Sequence, residues 1–181
     1  MASTTFSIST VCALAFLVVV ADAACPRVQL MANFNTQKFL GVWYEIQAQP
    51  SEYQNIKACL KSNYARNGNT VVVSSQGLNS IGRPTTASSR MSVTRNPARM
   101  MTNFIPGFSP PYEVLDTDYS SYACVHSCLS FGPITNDFVF VYSRKRTLSP
   151  AAVNHCKSLF SRYKGVNVSA LKNTPQGNCG V

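Results

Sequence analysis

Three cysteines and two histidines stand close enough in this sequence to raise the question of a metal centre: Cys124, His126 and Cys128 in one stretch, His155 and Cys156 in another. Thiolate and imidazole are zinc ligands, and a closed site holds four of them about 2.3 Å or less from one ion. The first stretch is rich in β-formers, however, and residues two apart on a strand are separated by roughly 6.8 Å. One ion cannot gather them, so no metal is expected. Acid–base and nucleophilic chemistry find no better footing, because neither G-x-S-x-G nor H-E-x-x-H occurs and no pair of acids stands out. No enzymatic activity is expected; a free, inward-facing thiol would be needed to revive that reading.

The cysteines read more simply as staples. Val11 to Val20 is a ten-residue apolar run followed by Ala21, Asp22 and Ala23. A membrane-spanning helix needs about 20 such residues, so residues 1–23 read as a secretory signal with an A-x-A cleavage site. The protein is expected to be secreted. Removing that segment takes away Cys12 and leaves six cysteines, an even number that in an exported domain implies three disulfides among fifteen possible pairings. It also leaves 16 basic against six acidic side chains. No acidic residue lies between Glu52 and Glu113 or after Asp137, yet the Lys and Arg of those stretches are scattered and match no nucleic-acid motif. A solvated basic surface, open to an anionic partner, fits better than nucleic-acid binding. Asn167 opens the one glycosylation sequon.

Residues 24–181 suffice for one domain. Eight β-rich runs separated by turn signals occupy them: 41–49, 57–66, 69–75, 85–94, 99–105, 112–118, 121–129 and 138–144. Short links between successive runs predict an antiparallel up-and-down meander, closed as an all-β barrel. A helix follows, with Ser149 as cap, Pro150 at its first position and Gly165 as a left-handed exit. Val153, Cys156, Leu159, Phe160 and Tyr163 form its apolar stripe. The eighth run, 138–142, is apolar on both faces, so one face needs the helix and the other a core or a ligand.

At this point three motifs stand in order: Gly41 and Trp43 in a G-x-W within residues 35–45, Thr117, Asp118 and Tyr119 after the sixth run, and Arg144 after the eighth. Together they resemble the three conserved regions of the lipocalins. The resemblance implies an eight-stranded antiparallel barrel with one closed end, one C-terminal helix packed outside, and a cup for a small hydrophobic molecule. Trp43 would plug the closed end with Arg144 stacked across it. Residues 116–128 look closest to the apolipoprotein D, retinol-binding protein, insecticyanin and above all crustacyanin branch. That branch implies the pairings Cys25–Cys128 and Cys59–Cys179, with Cys124–Cys156 as a third.

If Cys124 and Cys128 point outward, alternation turns Val125 inward and places Phe138, Phe140 and Tyr142 inside. Around an Asn67-Gly68 turn, opposed residue numbers would sum to 135, pairing Tyr64 with Val71 and Ser62 with Val73. Met91, Val93, Met101, Tyr112 and Val114 complete the expected lining, with Glu45 either a partly buried carboxylate or a rim residue. Alternation alone reads this set equally as a filled core; the resemblance implies a cavity. Phe104, Ile105 and Phe108 form an apolar loop that the resemblance puts at the open mouth, as a gate, a contact for a second lipocalin subunit or a membrane, or a loop packed on its own barrel. The function expected is a secreted carrier of a carotenoid or other pigment, a retinoid, a bilin or a fatty acid, held without an obligatory cofactor. The alternative is an interaction protein in defence, matrix or signalling that uses the barrel as a scaffold.

Overall fold

The computed structural model describes residues 25–103, 109–131 and 134–180. Residues 1–23, expected as a signal, and the loop carrying Phe104, Ile105 and Phe108 lie outside the described residues. Eight antiparallel strands follow in chain order: β1 (Gly41–Ala48), β2 (Ala58–Asn67), β3 (Thr70–Leu78), β4 (Pro84–Val93), β5 (Arg99–Asn103), β6 (Pro111–Thr117), β7 (Tyr122–Phe131) and β8 (Ile134–Ser143). Each pairs with the next, and β1 pairs with both β8 and β2, which closes the barrel. A four-residue helix, α1 (Thr36–Phe39), precedes β1, and α2 (Pro150–Phe160) lies on the outside against β7 and β8.

Closure gives every strand an inner and an outer face, and two cores result. The inner one gathers Phe34, Phe39, Trp43, Tyr64, Val71, Val73, Met91, Met100, Val114 and Val125. Beneath α2, a second core joins Leu115, Val139, Val141, Cys156 and Phe160. Burying such side chains stabilises by roughly 1.5–3 kcal/mol each. Disulfides Cys25–Cys128 and Cys124–Cys156 pin the amino-terminal segment and α2 to β7, and Cys59–Cys179 ties the carboxyl-terminal segment to β2.

Three details differ from the sequence reading. The β2–β3 hairpin turns on Gly68 and Asn69, with Asn67 opposite Thr70, so opposed numbers sum to 137 and Tyr64 faces Val73 while Ser62 faces Ser75. Gly68 supplies the positive φ of 60° that this turn needs. A shift of two leaves each side chain on its expected face. Helix α2 ends at Phe160, not at Gly165, because the next turn tightens to hydrogen bonds from Arg162 N to Leu159 O and Tyr163 N to Phe160 O. The Tyr163 hydroxyl is then free to accept from Gln29 N at 3.0 Å. Gly165, at φ 100°, serves a later turn against Asp137. The third difference is a strap: Lys172–Asn173 forms a short ninth strand, β9, on the upper half of β1.

Candidate functional site

The closed end is built first by the chain itself. Asn35 caps α1 by accepting from Lys38 N at 3.1 Å, which brings Phe39 under the barrel. Trp43 follows from β1, fully buried, its indole donating to Phe39 O at 2.8 Å and stacking on the Phe39 ring at 5.1 Å. The Arg144 guanidinium carbon sits 3.8 Å from the Trp43 ring centroid. Its nitrogens donate to Tyr119 O at 2.9 Å, Val42 O at 2.8 Å and Lys38 O at 3.1 Å, so one side chain closes three loose ends of backbone. Burial lowers the Arg144 pKa, yet a guanidinium keeps its charge in proteins. Gly41 has φ 92°, and a Cβ there would meet Arg144 Nη1 at 3.4 Å; glycine fits both conditions. In the turn between β6 and β7, burial alone would raise the Asp118 carboxyl. Hydrogen bonds from the Ser121 hydroxyl and the N–H groups of Ser121, Tyr122 and Ser120 outweigh it and bring the pKa down to about 2. Thr117 accepts from Tyr119 N at 2.9 Å, and the Tyr119 hydroxyl accepts from Asn35 N at 2.9 Å, tying this turn to α1.

Above that floor the inner wall is apolar except at the buried Ser62, which shares a hydrogen bond of 2.7 Å with Ser75. Val71, Val73, Met91, Val93, Val114 and Val125 all belong to the inner core, and the rings of Phe140 and Tyr142 stack at 5.9 Å. Higher still, Phe138 makes a T-shaped contact with Tyr53 from the β1–β2 loop at 6.3 Å. Among these walls lies a belt of hydroxyls. Tyr64 and Tyr112 share a hydrogen bond of 2.9 Å, and Tyr142 joins them in the inner core. Burial pushes the Tyr64 phenol up to about 12 and raises Tyr112 and Tyr142 well above the usual range. All three stay neutral at physiological pH, able to donate or accept within an apolar core.

Met101 is a correction. Met100, fully buried, takes the inward place, since it pairs with Val93 on one side and Tyr112 on the other; Met101 pairs with Ser92 and Pro111 and lies outside the inner core. Parity is fixed by Arg99, whose outward guanidinium meets Glu113 at 2.6 Å.

Glu45 is buried, not on a solvated rim. Pairing between β1 and β2 stops at Tyr44 opposite Lys61, and the carboxyl-terminal strap fills the seam that opens above. Gln176 Nε2 donates to both Glu45 O and Leu60 O, at 2.8 and 2.9 Å, and Pro175 O accepts from Cys59 N at 2.7 Å. Inside the seam the Glu45 carboxyl accepts from Thr174 Oγ1 at 2.6 Å and Gln54 Nε2 at 3.0 Å. Desolvation by burial raises its pKa, with those two hydrogen bonds and the nearby Lys57 opposing.

The suspected metal ligands are all otherwise engaged. Cys124, Cys128 and Cys156 are in disulfides, and His155 Nε2 meets Asp116 Oδ2 at 2.6 Å. His126, on the outer face of β7, is fully buried between Glu113 and Asp137, each 2.8 Å from a ring nitrogen. This Arg99–Glu113–His126–Asp137 chain escaped the sequence reading because its members lie 11 to 14 residues apart. Only cross-strand register, Glu113 opposite His126 and Cys128 opposite Asp137, reveals it. Phe34 and Phe39 on the floor escaped too, although Asn35 three residues before Lys38 is a capping signal. Asn167 is exposed, its Oδ1 accepting from Ser169 N.

Residues 40–178 match the model of the lipocalin / cytosolic fatty-acid binding protein family. Apolipoprotein D of Mus musculus is 32% identical over 161 residues, covering 86% of this chain and 84% of that protein. The crustacyanin-A1 subunit of Homarus gammarus is 29% identical over 150 residues, with 80% of each chain covered. The crystal structure of lobster apocrustacyanin A1 superposes with a TM-score of 0.73 at 28% identity, covering 81% of this chain and 82% of that one.

Proposed function

Since the chain belongs to the lipocalin / cytosolic fatty-acid binding protein family, whose members bind and transport small hydrophobic molecules, we propose that it is a secreted, non-enzymatic carrier of a carotenoid or comparable lipophile in its barrel. The observation that carries this reading is the lining of the barrel: a sealed aromatic floor, and above it the neutral phenols of Tyr64, Tyr112 and Tyr142 set among Val71, Val73, Met91, Val114 and Val125. Walls of that kind favour an apolar body, and the phenols offer hydrogen bonds to a hydroxyl or keto end without demanding a charge. Burying about 300 Å² of apolar ligand at ~25 cal/mol/Å² gives ~7 kcal/mol before the costs of association. A retinoid, bilin or fatty acid would use the same walls; the likeness to crustacyanin subunits favours the pigment. A long polyene outruns strands of roughly 20 Å, so that ligand would call for a second lipocalin subunit over the mouth. Three disulfides suit an extracellular protein, and Asn167 is the position at which a glycan would then be attached.

The test is to purify the protein from its natural source without denaturants, extract it with organic solvent and record absorption and mass spectra of what is released. A visible-absorbing polyene in molar proportion supports the pigment reading, and another lipophile redirects it. An empty extract, together with no quenching of Trp43 fluorescence by retinol, a carotenoid or oleate at micromolar concentration, overturns the carrier in favour of an interaction protein.

A further inference from the structure

A recess of about 640 Å³ lies outside the barrel, between the start of α2 and the carboxyl-terminal strap. Its floor is Ile46 and Gln47, where a bulge in β1 between Glu45 and Gln47 alters the pairing with β8; Leu148 and Val153 form one wall and Pro175 the other. The volume falls in the range of small-molecule sites. Two polar features set it apart from a chance furrow. Gln47 Nε2 donates to Asn173 Oδ1 at 2.6 Å, but Gln47 Oε1 is buried without a partner. A buried acceptor of this kind is satisfied by a bound donor. Arg146 borders the same recess, its guanidinium 5.2 Å from the Tyr44 ring and donating to the neutral Gln176 Oε1. No Asp or Glu lines the recess, and among the described residues no carboxylate pairs with Arg146.

We propose that this outer groove is a second binding site, independent of the cup, for an anionic amphiphile with an N–H or O–H donor beside its acid group, the chemistry of an N-acyl amino acid. Arg146 takes the carboxylate, Gln47 Oε1 accepts from the donor, and the chain lies along Ile46, Leu148, Val153 and Pro175. The sole tryptophan is buried on the cup floor, so a molecule in the outer groove leaves its fluorescence unchanged.

The experiment is calorimetric titration of the delipidated protein with N-lauroylglycine, with Trp43 fluorescence followed in parallel. The expected result is one equivalent of binding that is silent at Trp43, besides any cup binding that quenches it, and that is weakened about tenfold, or ~1.4 kcal/mol, by Arg146→Gln and to a similar degree by replacing the ligand with its methyl ester. Gln47→Leu should abolish the preference for N-lauroylglycine over laurate, and Val153→Trp should fill the groove. Arg146 lies at the partly exposed border, so its substitution leaves a folded protein even if Val153→Trp does not. Heat that tracks Trp43 quenching alone, or tight silent binding indifferent to Arg146 and to esterification, overturns the proposal. Failure of the cup to bind retinol or carotenoid would leave it standing.

Discussion

Two carboxyl groups, one at the closed end and one in the seam between β1 and β2, are pushed in opposite directions. Asp118, at the closed end, is carried down to about 2 by hydroxyl and backbone donors. Glu45, in the seam below the mouth, is raised by burial that two side-chain hydrogen bonds only partly offset. The closed end answers each polar group with backbone partners fixed by the fold: Asp118 has N–H donors, and Arg144 has carbonyls of α1, β1 and the β6–β7 turn. The seam is repaired after the fact, by a strap that arrives from 129 residues away and is tied down by a disulfide. The closed end is specified by local geometry, the seam by a distant segment.

The largest effects should come from removing whatever closes each end. At the seam, replacing Cys59 and Cys179 by Ser removes a cross-link over a 120-residue separation, worth ~4 to 5 kcal/mol by chain entropy. Hydrogen exchange should then show β9 and the strap opening before the strands. At the closed end, Trp43→Ala deletes a fully buried indole and should cost ~3 to 5 kcal/mol in denaturant unfolding, with exchange accelerated throughout the barrel. If both variants loosen the same amides, the two ends are not independent and the contrast fails. Arg144→Met comes next. It keeps the stem over the indole but leaves three carbonyls without donors and loses the cation–π contact, for an expected loss of ~2 kcal/mol.

The closed end is also the part most legible in the sequence, for the same reason. Gly41, Trp43, Asp118 and Arg144 act through contacts that short motifs can encode, and turn residues mark where the strands begin and end. Side-chain parity is readable only as far as the first irregularity. Val125 and Tyr142 could be placed inside because β7 and β8 pair without a break. Met101 was misplaced because β5 is short and nothing in its own five residues distinguishes the two faces; the Arg99–Glu113 pair that decides it depends on β6. Cys59, at φ 56° beside a register shift, interrupts β2 in the same way. The strap could not be read at all, since Thr174 and Gln176 carry no apolar pattern and matter only because β1 and β2 part above Tyr44. The buried chain through His126 is a matter of register too.

The opposite signs of the two carboxyls give a smaller, pH-dependent test. Glu45 has a folded pKa above its unfolded value, so its contribution is fully favourable below the ordinary carboxylate range and is lost as pH rises through the folded value. Glu45→Gln should therefore match the parent protein in Tm at pH 4 and exceed it increasingly towards pH 8. Asp118 has a depressed folded pKa, so its contribution is present above about 4 and disappears only as pH falls towards 2. Asp118→Asn should lower Tm at pH 7 and converge with the parent in strong acid. Parallel Tm profiles for both variants would remove the distinction between ends.

The smallest effect on stability should appear at the mouth, where it separates a carrier from a scaffold. Tyr53 is 62% exposed, and its described ring contact is a T-shaped one with Phe138. A surface substitution of this kind changes stability by less than about 0.5 kcal/mol, so Tyr53→Ala should unfold at the parent's denaturant midpoint. Binding is another matter, because Phe138 shares the inward parity of Phe140 and Tyr142 nearer the mouth, and Tyr53 packs against it from the β1–β2 loop. Losing that contact should hasten release of a lipophile seated beneath it and leave its association rate nearly unchanged, since affinity changes within one site fall mostly on dissociation. Stopped-flow recovery of Trp43 fluorescence after displacement of bound retinol measures this directly. An unchanged release rate would show that the ligand lies below the reach of Tyr53 or leaves by another route; the β1–β2 seam, with Glu45 exposed by the Cys59 and Cys179 substitutions, is then the route to examine.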